Sequence, residues 1–152
     1  MFYRDCFSSP IGDIALLAYQ DTLIEISLLG YRGLSREAKN SKGRFVNEIR
    51  ELSEYFFEGR KKFNITYSLE TTPFALSVYQ SMLNIKYGKT KSYSEIATGI
   101  YNPKACRAVG TACGNNPLPI IIPCHRVLAK NGIGGFSSGL SRKKFLLELE
   151  TN

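Results

Sequence analysis

The chain of 152 residues contains no tryptophan, a single histidine and no long apolar run. No segment approaches the roughly 18 apolar residues that cross a bilayer, and the N-terminus lacks the parts of a secretory signal. We therefore expect a cytoplasmic protein with no membrane partner. None of the four cysteines forms a CxxC pair, and the histidine, His125, is directly adjacent to Cys124. Because this pattern does not support a structural zinc site, we expect no metal and no cofactor.

Acidic residues are scarce in the second half of the chain. Residues 1–72 contain ten Lys or Arg and ten Asp or Glu, so their charges balance. Residues 73–152 contain ten Lys or Arg and only three acids, which accounts for the whole net charge of +7. A basic half beside a neutral half is typical of a polyanion-binding domain, although a solvated basic surface has the same composition.

The first half of the chain has short apolar segments bounded by turn residues, which predicts strands. The predicted strands are Tyr3–Phe7, Ile14–Tyr19 and Leu23–Leu28. A polar loop over Tyr31–Gly43 precedes an amphipathic helix over Phe45–Phe57, which Gly59 ends. Residues 60–72 show no regular pattern, and we expect a boundary there between a domain of residues 1–66 and one of residues 67–152.

The second half predicts short helices. Thr72-Pro73 begins the first of them, because proline suits the first helical position, and Tyr87-Gly88 ends it. Ser92 or Tyr93 begins a second short helix that runs through Ala97. These signals indicate a change from a sheet in the first half to a helical second half.

Asn102 and Pro103 form the strongest helix-cap signal in the chain. They predict a third helix, with Asn102 as N-cap and Pro103 at the first helical position, which runs through Cys113 and ends at Gly114. Two short helices joined by a tight turn are the outline of a helix-turn-helix.

The third predicted helix consists of small residues with one arginine, Arg107. A helix that reads base edges in the major groove carries several Arg, Asn or Gln, whereas small residues allow close approach in the narrower minor groove. The plainer alternatives are that Arg107 is a surface charge and that Cys106 and Cys113 are small buried apolar residues. The small residues expected at a DNA surface are Ala105, Ala108, Gly110 and Cys113.

Cys124 and His125 follow three isoleucines, Ile120–Ile122, which predict a short buried strand that Pro123 ends. A cysteine at the end of a buried strand, followed at once by a histidine, is a candidate activated nucleophile. Neighbouring residues of a strand point to opposite faces, so proton transfer between this pair needs a turn or a bridging water. A buried cysteine beside a surface histidine is the commoner arrangement in an arbitrary chain.

A histidine that acts as a base also needs an acceptor on its second nitrogen. The C-terminal helix, Ser141–Glu150, contains two carboxylates, Glu148 and Glu150, and the sequence does not choose between them. Asn116 precedes a proline and is expected to hold a turn through its side chain. Residues 131–139 are rich in glycine without a phosphate-loop motif, which suggests a mobile pocket wall.

These residues together resemble the O6-alkylguanine-DNA alkyltransferases, also called methylated-DNA–protein-cysteine methyltransferases. The segment Asn115–Val127, NNPLPIIIPCHRV, resembles the active-site signature of that family, with Pro-Cys-His-Arg intact. The similarity is specific over Thr72–Glu150 and weaker over residues 1–60. It implies an α/β (α+β) fold with a ribonuclease-H-like N-terminal lobe and a winged-helix-like C-terminal lobe that binds the DNA minor groove.

The resemblance implies a direct repair reaction carried out once by a monomer. An alkyl group would pass from O6-alkylguanine in double-stranded DNA, and less readily from O4-alkylthymine, to Cys124. His125 would take the thiol proton through a water, and Glu150 would orient His125. Tyr93 would contact the flipped nucleotide and protonate the leaving group, and Asn116 would brace the turn that carries the nucleophile.

Other residues match the family in position and are expected at the DNA or at the pocket. Arg107 would fill the gap that the flipped nucleotide leaves in the base stack, and Arg126 would also contact DNA. The residues expected to line the substrate pocket are Pro119, Val127, Phe136, Ser137 and Ser138. Phe136 departs from the tyrosine of many members, so it has no hydroxyl to contribute, and Ser137-Ser138 differs from common versions of that loop.

Two functions of other classes compete with this interpretation. A cysteine hydrolase could use a Cys-His-Glu arrangement, but the one-sided charge and the absence of an evident oxyanion loop disfavour it. A non-catalytic DNA binder, such as a winged-helix regulator, would need no acceptor. Alkyltransferase-like proteins lack the acceptor cysteine, whereas Cys124 is present here.

Overall fold

The computed structural model describes all residues, Met1–Asn152, and divides them into two units, Met1–Leu69 and Glu70–Asn152. The division lies three residues beyond the boundary expected from the sequence. The first unit contains a sheet and one long helix, and the second is mainly helical. The mixed architecture with two lobes is therefore confirmed. No helix of the protein has both the length and the apolar character needed to cross a membrane.

Four strands form the sheet of the first unit, in the order β3-β2-β1-β4. They are β1 (Phe2–Ser9), β2 (Gly12–Tyr19), β3 (Thr22–Ser27) and β4 (Lys39–Asn40). The first three pair antiparallel, and β4 pairs parallel to β1. In β2, five consecutive residues from Ile14 to Ala18 are buried, so both of its faces are covered. The three predicted strands are confirmed, with their ends moved by one to two residues.

Helix α1 (Val46–Glu58) packs the core of the first unit with Leu52, Tyr55 and Phe56. Gly59 ends it in the left-handed conformation, with φ of 73°, as the sequence predicts. The predicted loop over Tyr31–Gly43 is only partly correct. It contains β4, and it overlaps a 3₁₀ turn over Gly30–Gly33.

In the second unit, α2 (Pro73–Leu83) begins as predicted, because the Thr72 hydroxyl accepts a 3.1 Å hydrogen bond from the Ala75 amide. It ends earlier than predicted. The amide of Ile85 donates to the carbonyl of Met82 at 3.0 Å, so the chain tightens and leaves the helix well before Tyr87-Gly88.

Helix α3 (Tyr93–Gly99) begins at a capping box in which Ser92 and Glu95 exchange hydrogen bonds. Helix α4 (Cys106–Gly114) ends as predicted but begins three residues late. The prediction that Asn102 is its N-cap is wrong. The Asn102 carbonyl accepts from the Ala105 amide at 3.0 Å, which closes a turn with Pro103 at its second position, and proline suits that position as well as a helix start.

Two short parallel strands, β5 (Lys91–Ser92) and β6 (Val127–Leu128), pair Lys91 with Val127 and Ser92 with Leu128. The chain ends in helix α5 (Leu140–Thr151). All four cysteines are free thiols. The pairing of β5 with β6 determines the site, because it brings the start of α3 beside the segment that precedes β6.

Candidate active site

The residues before Cys124 form a tight turn. The Asn116 amide donates to the Ile122 carbonyl at 2.7 Å, and its oxygen accepts from the Leu118 amide at 3.0 Å. Ile120 has φ of 76°, and the Ile122 amide donates to the Leu118 carbonyl at 2.8 Å. The predicted strand over Ile120–Ile122 is therefore wrong, although its burial is correct. Local partners take the backbone groups that a strand would pair with a neighbour.

Cys124, His125 and Arg126 form one turn of 3₁₀ helix immediately after Pro123. Cys124 and His125 do not point to opposite faces of a strand as predicted, because neither residue lies in a strand. The Cys124 thiol belongs to a residue that is only 5% exposed, and His125 is fully buried. The turn thus holds both groups inside the second unit.

Cys124 opens onto a cavity of about 310 Å³. Two predicted pocket residues, Phe136 and Ser137, line it together with Tyr93. The remaining walls are Gly110, Cys113, Gly114 and Gly135. Helix α4 thus contributes small residues to the wall opposite the glycine-rich loop, which leaves room for a flat ligand between them.

The other three predicted pocket residues do not line this cavity. Pro119 and Val127 are buried, the latter as the first residue of β6. Ser138 is half-buried, and its carbonyl accepts from Arg142 at 2.8 Å. In this structure packing and local hydrogen bonds occupy these three residues, and their contact with a bound base stays a prediction.

Tyr93 reaches the cavity because it follows β5 directly. Gly134, with φ of 77°, lies so close to the ring that an added Cβ would be 2.9 Å from the tyrosine oxygen. Only glycine allows this approach. Burial raises the pKa of Tyr93, so its hydroxyl remains protonated at neutral pH and can act as a proton donor.

Glu150 joins His125 to Arg126. Its Oε2 lies 2.7 Å from His125 Nε2, and Arg126 donates to both carboxylate oxygens at 2.8 and 3.0 Å. The Gly88 amide donates to Oε1 at 3.2 Å. The structure therefore selects Glu150 over Glu148, which is exposed. These charge-assisted bonds fix the orientation of the imidazole ring.

One ring nitrogen of His125 has a hydrogen-bond partner in the protein, and the other has none. Burial lowers its pKa, against the opposing effect of Glu150, so the ring is neutral at neutral pH. A neutral ring next to a carboxylate carries its proton on Nε2 and donates it to Glu150. Nδ1 is then a lone-pair acceptor, and it is buried without a hydrogen-bond partner in the protein. The arrangement supplies a base beside Cys124.

Lys143 is a functional candidate that the sequence did not reveal. Its side chain is fully buried, and its ammonium donates to the carbonyls of Val127 at 2.7 Å and Gly135 at 2.9 Å. Burial raises the pKa of the Cys124 thiol, while Asn116 and the positive charge of Lys143 act in the opposite direction. Lys143 thus ties two pocket segments together and favours the thiolate.

A sequence signal for Lys143 did exist. Lys143, Leu146 and Glu150 are spaced by three and four residues along α5, so they share one face of that helix, and all three are buried. The run Arg142-Lys143-Lys144 hid this signal, because three successive cations are typical of a solvated face.

The predicted DNA-facing residues divide into three groups. Arg107 and Ala108 are exposed on α4, and Ala105 is half-exposed. Gly110 and Cys113 turn toward the cavity instead. The prediction that Arg126 contacts DNA is wrong, because its guanidinium is buried and donates to Glu150 and to the Ile85 carbonyl at 2.7 Å.

Comparison with known proteins decides the family. Residues 73–152, more than half of the chain, match the model of the DNA-binding domain of 6-O-methylguanine DNA methyltransferase. The chain belongs to the methylated-DNA–protein-cysteine methyltransferases. It is 40% identical to the protein of that name from Methanosarcina barkeri, over 99% of this chain and 98% of the relative. A probable member from Acanthamoeba polyphaga mimivirus is 46% identical, over 96% and 95% of the two chains.

Solved structures of the methyltransferase family match over the full length. The crystal structure of Mycobacterium tuberculosis O6-methylguanine methyltransferase has a TM-score of 0.90 and 36% identity, covering 99% of this chain and 93% of that one. The M. tuberculosis protein called OGT in complex with DNA has a TM-score of 0.92 and 37% identity, covering 98% and 92%. The protein is thus a DNA-binding enzyme of DNA repair by alkyl transfer, a methylated-DNA–protein-cysteine S-methyltransferase.

Proposed function

We propose that this methyltransferase removes the alkyl group from O6-alkylguanine in duplex DNA, and less readily from O4-alkylthymine, by transfer to Sγ of Cys124. The observation that carries the proposal is a buried thiol that lines a cavity of about 310 Å³ and is followed directly by an imidazole whose Nδ1 has no hydrogen-bond partner in the protein.

Activation of the thiol is the task of His125. Burial raises the pKa of Cys124, so a free thiolate is scarce at neutral pH and a general base is needed. His125 Nδ1 accepts the Sγ proton through a bridging water, while Nε2 continues to donate to Glu150. The growing positive charge on the ring is stabilised by the Glu150 carboxylate 2.7 Å away.

Transfer then forms one bond and breaks another. The Sγ electron pair attacks the alkyl carbon, the carbon–O6 bond breaks, and its electrons remain on the guanine. Tyr93 donates a proton to the departing base, since its raised pKa keeps the hydroxyl protonated. His125 releases the proton it took from Cys124 to solvent, the tyrosinate regains one from solvent, and the products are a Cys124 thioether and unmodified guanine.

The damaged nucleotide must leave the duplex for this reaction. Cys124 is buried at the end of a cavity, and O6 of guanine lies within the base stack, so the two atoms meet only if the nucleotide is flipped out. Arg107 is the exposed long side chain of α4 and enters the gap in the stack. The small neighbouring residue Ala108 allows α4 to approach the minor groove.

The proposed reaction occurs once per molecule, in a monomer. A thioether has no good leaving group, and burial raises the pKa of Cys113, the second thiol at the cavity, to about 12, so that thiol stays protonated and is a poor nucleophile. All of the proposed catalytic residues lie in one chain, so no partner subunit is needed. The predicted cytoplasmic location stays a prediction.

Intact-mass analysis tests the proposal directly. The reduced protein is mixed with a duplex containing one O6-methylguanine, and the adduct is mapped by peptide fragmentation. We expect the mass to increase by one methyl group at Cys124, with a plateau of one methyl per protein even when damaged duplex is in excess.

Two controls make the result specific. An unmodified duplex should leave the mass unchanged, and Cys124→Ala should bind the damaged duplex without gaining mass. If folded wild-type protein binds the damaged duplex but gains no methyl group, alkyl transfer is wrong and a damage-binding role replaces it. Release of methanol with continued turnover would instead indicate a hydrolase.

A further inference from the structure

Tyr101 occupies an unusual position at the turn between α3 and α4. Its backbone has φ of 63°, in the left-handed region that residues with a bulky side chain rarely adopt. Its side chain is 95% exposed, the most exposed large apolar residue of the protein. A strained backbone and an unburied aromatic ring therefore coincide at one residue.

The turn itself is well defined. The Asn102 amide donates to the Ala97 carbonyl at 2.9 Å, and the Tyr101 amide donates to the Thr98 carbonyl at 3.0 Å. This pair of bonds is a Schellman motif, in which Tyr101 takes the left-handed position that glycine usually occupies. The ring is thus projected from a hydrogen-bonded helix end and not from an irregular loop.

The strain at Tyr101 is not offset within the protein. Two other non-glycine residues have positive φ, Gln20 at 52° and Ile120 at 76°. Ile120 is buried, so its side chain offsets the strain by packing in the core. Gln20 has a polar side chain at a hairpin turn. A ring that is 95% exposed contributes almost no burial, so glycine at position 101 would make the free protein more stable.

The surroundings of Tyr101 indicate the chemistry of a partner. Lys104 and Arg107 are exposed and follow the turn directly. No acidic residue occurs between Glu95 and Glu148, whereas seven Lys or Arg do. An exposed aromatic ring beside two exposed cations, Lys104 and Arg107, suits a polyanion that offers phosphates and flat apolar surfaces, which duplex DNA does.

We propose that Tyr101 is a DNA-contact residue. Its ring packs on a deoxyribose of the strand that runs alongside α4, and its hydroxyl donates a hydrogen bond to a phosphate oxygen. This inference rests on the proposed function, in which α4 approaches a damaged duplex. Tyr101 touches neither Cys124 nor the pocket, so it acts on DNA affinity and not on the transfer step.

The experiment compares Tyr101→Gly with wild-type protein. DNA affinity is measured by fluorescence anisotropy on an undamaged duplex, and stability by thermal unfolding. We expect Tyr101→Gly to unfold at a higher temperature and to bind DNA about fivefold more weakly, as for the loss of one hydrogen-bonded contact. Gln20→Gly is the matched control, because it also relieves a positive φ. It should be equally or more stable than wild type, with unchanged DNA affinity.

Alkyl transfer from a free base shows whether a substitution at Tyr101 removes only the DNA contact or also disturbs the active site. Alkyl transfer from free O6-benzylguanine should proceed at the wild-type rate in Tyr101→Gly. If that rate also falls, Tyr101→Asn is measured instead, since asparagine tolerates the left-handed conformation. Unchanged duplex affinity in the variant that keeps free-base transfer overturns the proposal and leaves the proposed function intact. Failure of the wild-type protein to accept a methyl group from damaged duplex overturns the proposed function itself.

Discussion

Each unit contains one arginine–glutamate network, and the two networks differ in burial and in completeness. In the first unit, Arg60 lies 3.0 Å from Glu51 and 2.9 Å from Glu54, with the arginine side chain 22% exposed. In the second unit, Arg126 and His125 meet on Glu150, and none of the three side chains is more than 8% exposed. The first network has no unpaired buried atom, whereas the second leaves His125 Nδ1 without a partner.

The difference separates a stabilising network from one suited to catalysis. The Asn64 amide donates to Glu51 at 2.8 Å, so the first network ties the segment after α1 back to that helix and serves the fold. The second network also stabilises its unit, but it leaves one basic lone pair unpaired on the residue that follows Cys124. An unpaired buried polar atom is costly, and such atoms are often found where chemistry takes place.

Replacing the arginine of each network should produce the largest difference between the two units, measured as the loss in the free energy of unfolding. Arg126→Met leaves the Glu150 carboxylate buried without its cation, and we expect a loss of about 3–5 kcal/mol in the free energy of unfolding. Arg60→Met removes a cation that is 22% exposed and leaves Glu51 with the Asn64 amide and Arg50, so we expect a smaller loss of about 1–2 kcal/mol. Urea unfolding of both variants, followed by circular dichroism, measures the contrast. Equal losses would show that burial does not distinguish the networks.

Replacing His125, which removes the unpaired Nδ1, should slow methyl transfer. We expect His125→Asn to slow methyl transfer about 100-fold, the usual loss of a general base. The matched variant in the first network, Glu51→Gln, should transfer at the wild-type rate. Single-turnover kinetics with a duplex containing O6-methylguanine, at a temperature where both variants are folded, provides the measurement.

The pH profile of His125→Asn makes this prediction sharper. Burial raises the pKa of the Cys124 thiol, so without a base the rate should depend on the small thiolate fraction. It should then rise about tenfold per pH unit between pH 6.5 and 8.5, because that fraction rises tenfold per unit below the pKa. The wild-type rate should change little over this range. A flat profile for the variant would exclude His125 as the base.

Removing the buried cation of the second unit, Lys143, should have a moderate effect on the rate of methyl transfer. We expect Lys143→Met to slow methyl transfer about tenfold, because the pKa of the Cys124 thiol rises further without the nearby cation. The carbonyls of Val127 and Gly135 would also lose their common donor. Lys144→Met removes the next cation along α5, which is exposed, and should leave the rate unchanged. Equal effects of the two variants would indicate a general effect of charge and not a local one.

The two units should respond in opposite directions to mild acid, which is the smallest predicted effect. Burial lowers the pKa of His125, so the unfolded chain binds this proton at higher pH than the folded one. The second unit therefore loses stability as pH falls through the unfolded value of about 6.5. Burial raises the pKa of Glu48 in the first unit. The protonated carboxyl therefore stabilises the folded state below about pH 4.5, and this stabilisation is lost as pH rises through the pKa of the folded state.

Thermal unfolding of three proteins between pH 4.5 and 7.5 measures these contributions. His125→Asn should lose less stability on acidification than wild type. Glu48→Gln should lose more, because it lacks the carboxyl group whose protonation stabilises the folded state. Differences from wild type matter here, since other carboxylates titrate in the same range. Identical pH dependence in all three proteins would show that neither group contributes.

Much of the local structure could be predicted from the sequence because it depends on neighbouring residues. Gly59 ends α1, Thr72-Pro73 begins α2, and Ser92 caps α3, each through contacts within five residues along the chain. The same kind of signal failed at Asn102-Pro103. There a turn and a helix start have the same composition, and only the bond from Ala105 to the Asn102 carbonyl distinguishes them.

The sequence by itself determined the chemistry that is present: one thiol and one imidazole side by side, a basic second half, and a helix of small residues with one arginine. Only the tertiary structure decided which groups meet. It brought Glu150 to His125 across 25 residues, buried Arg126 and Lys143 away from solvent, and left Tyr101 outside. The physical reason is that caps and turns depend on adjacent residues, whereas a buried charge finds its partner only when distant segments pack together.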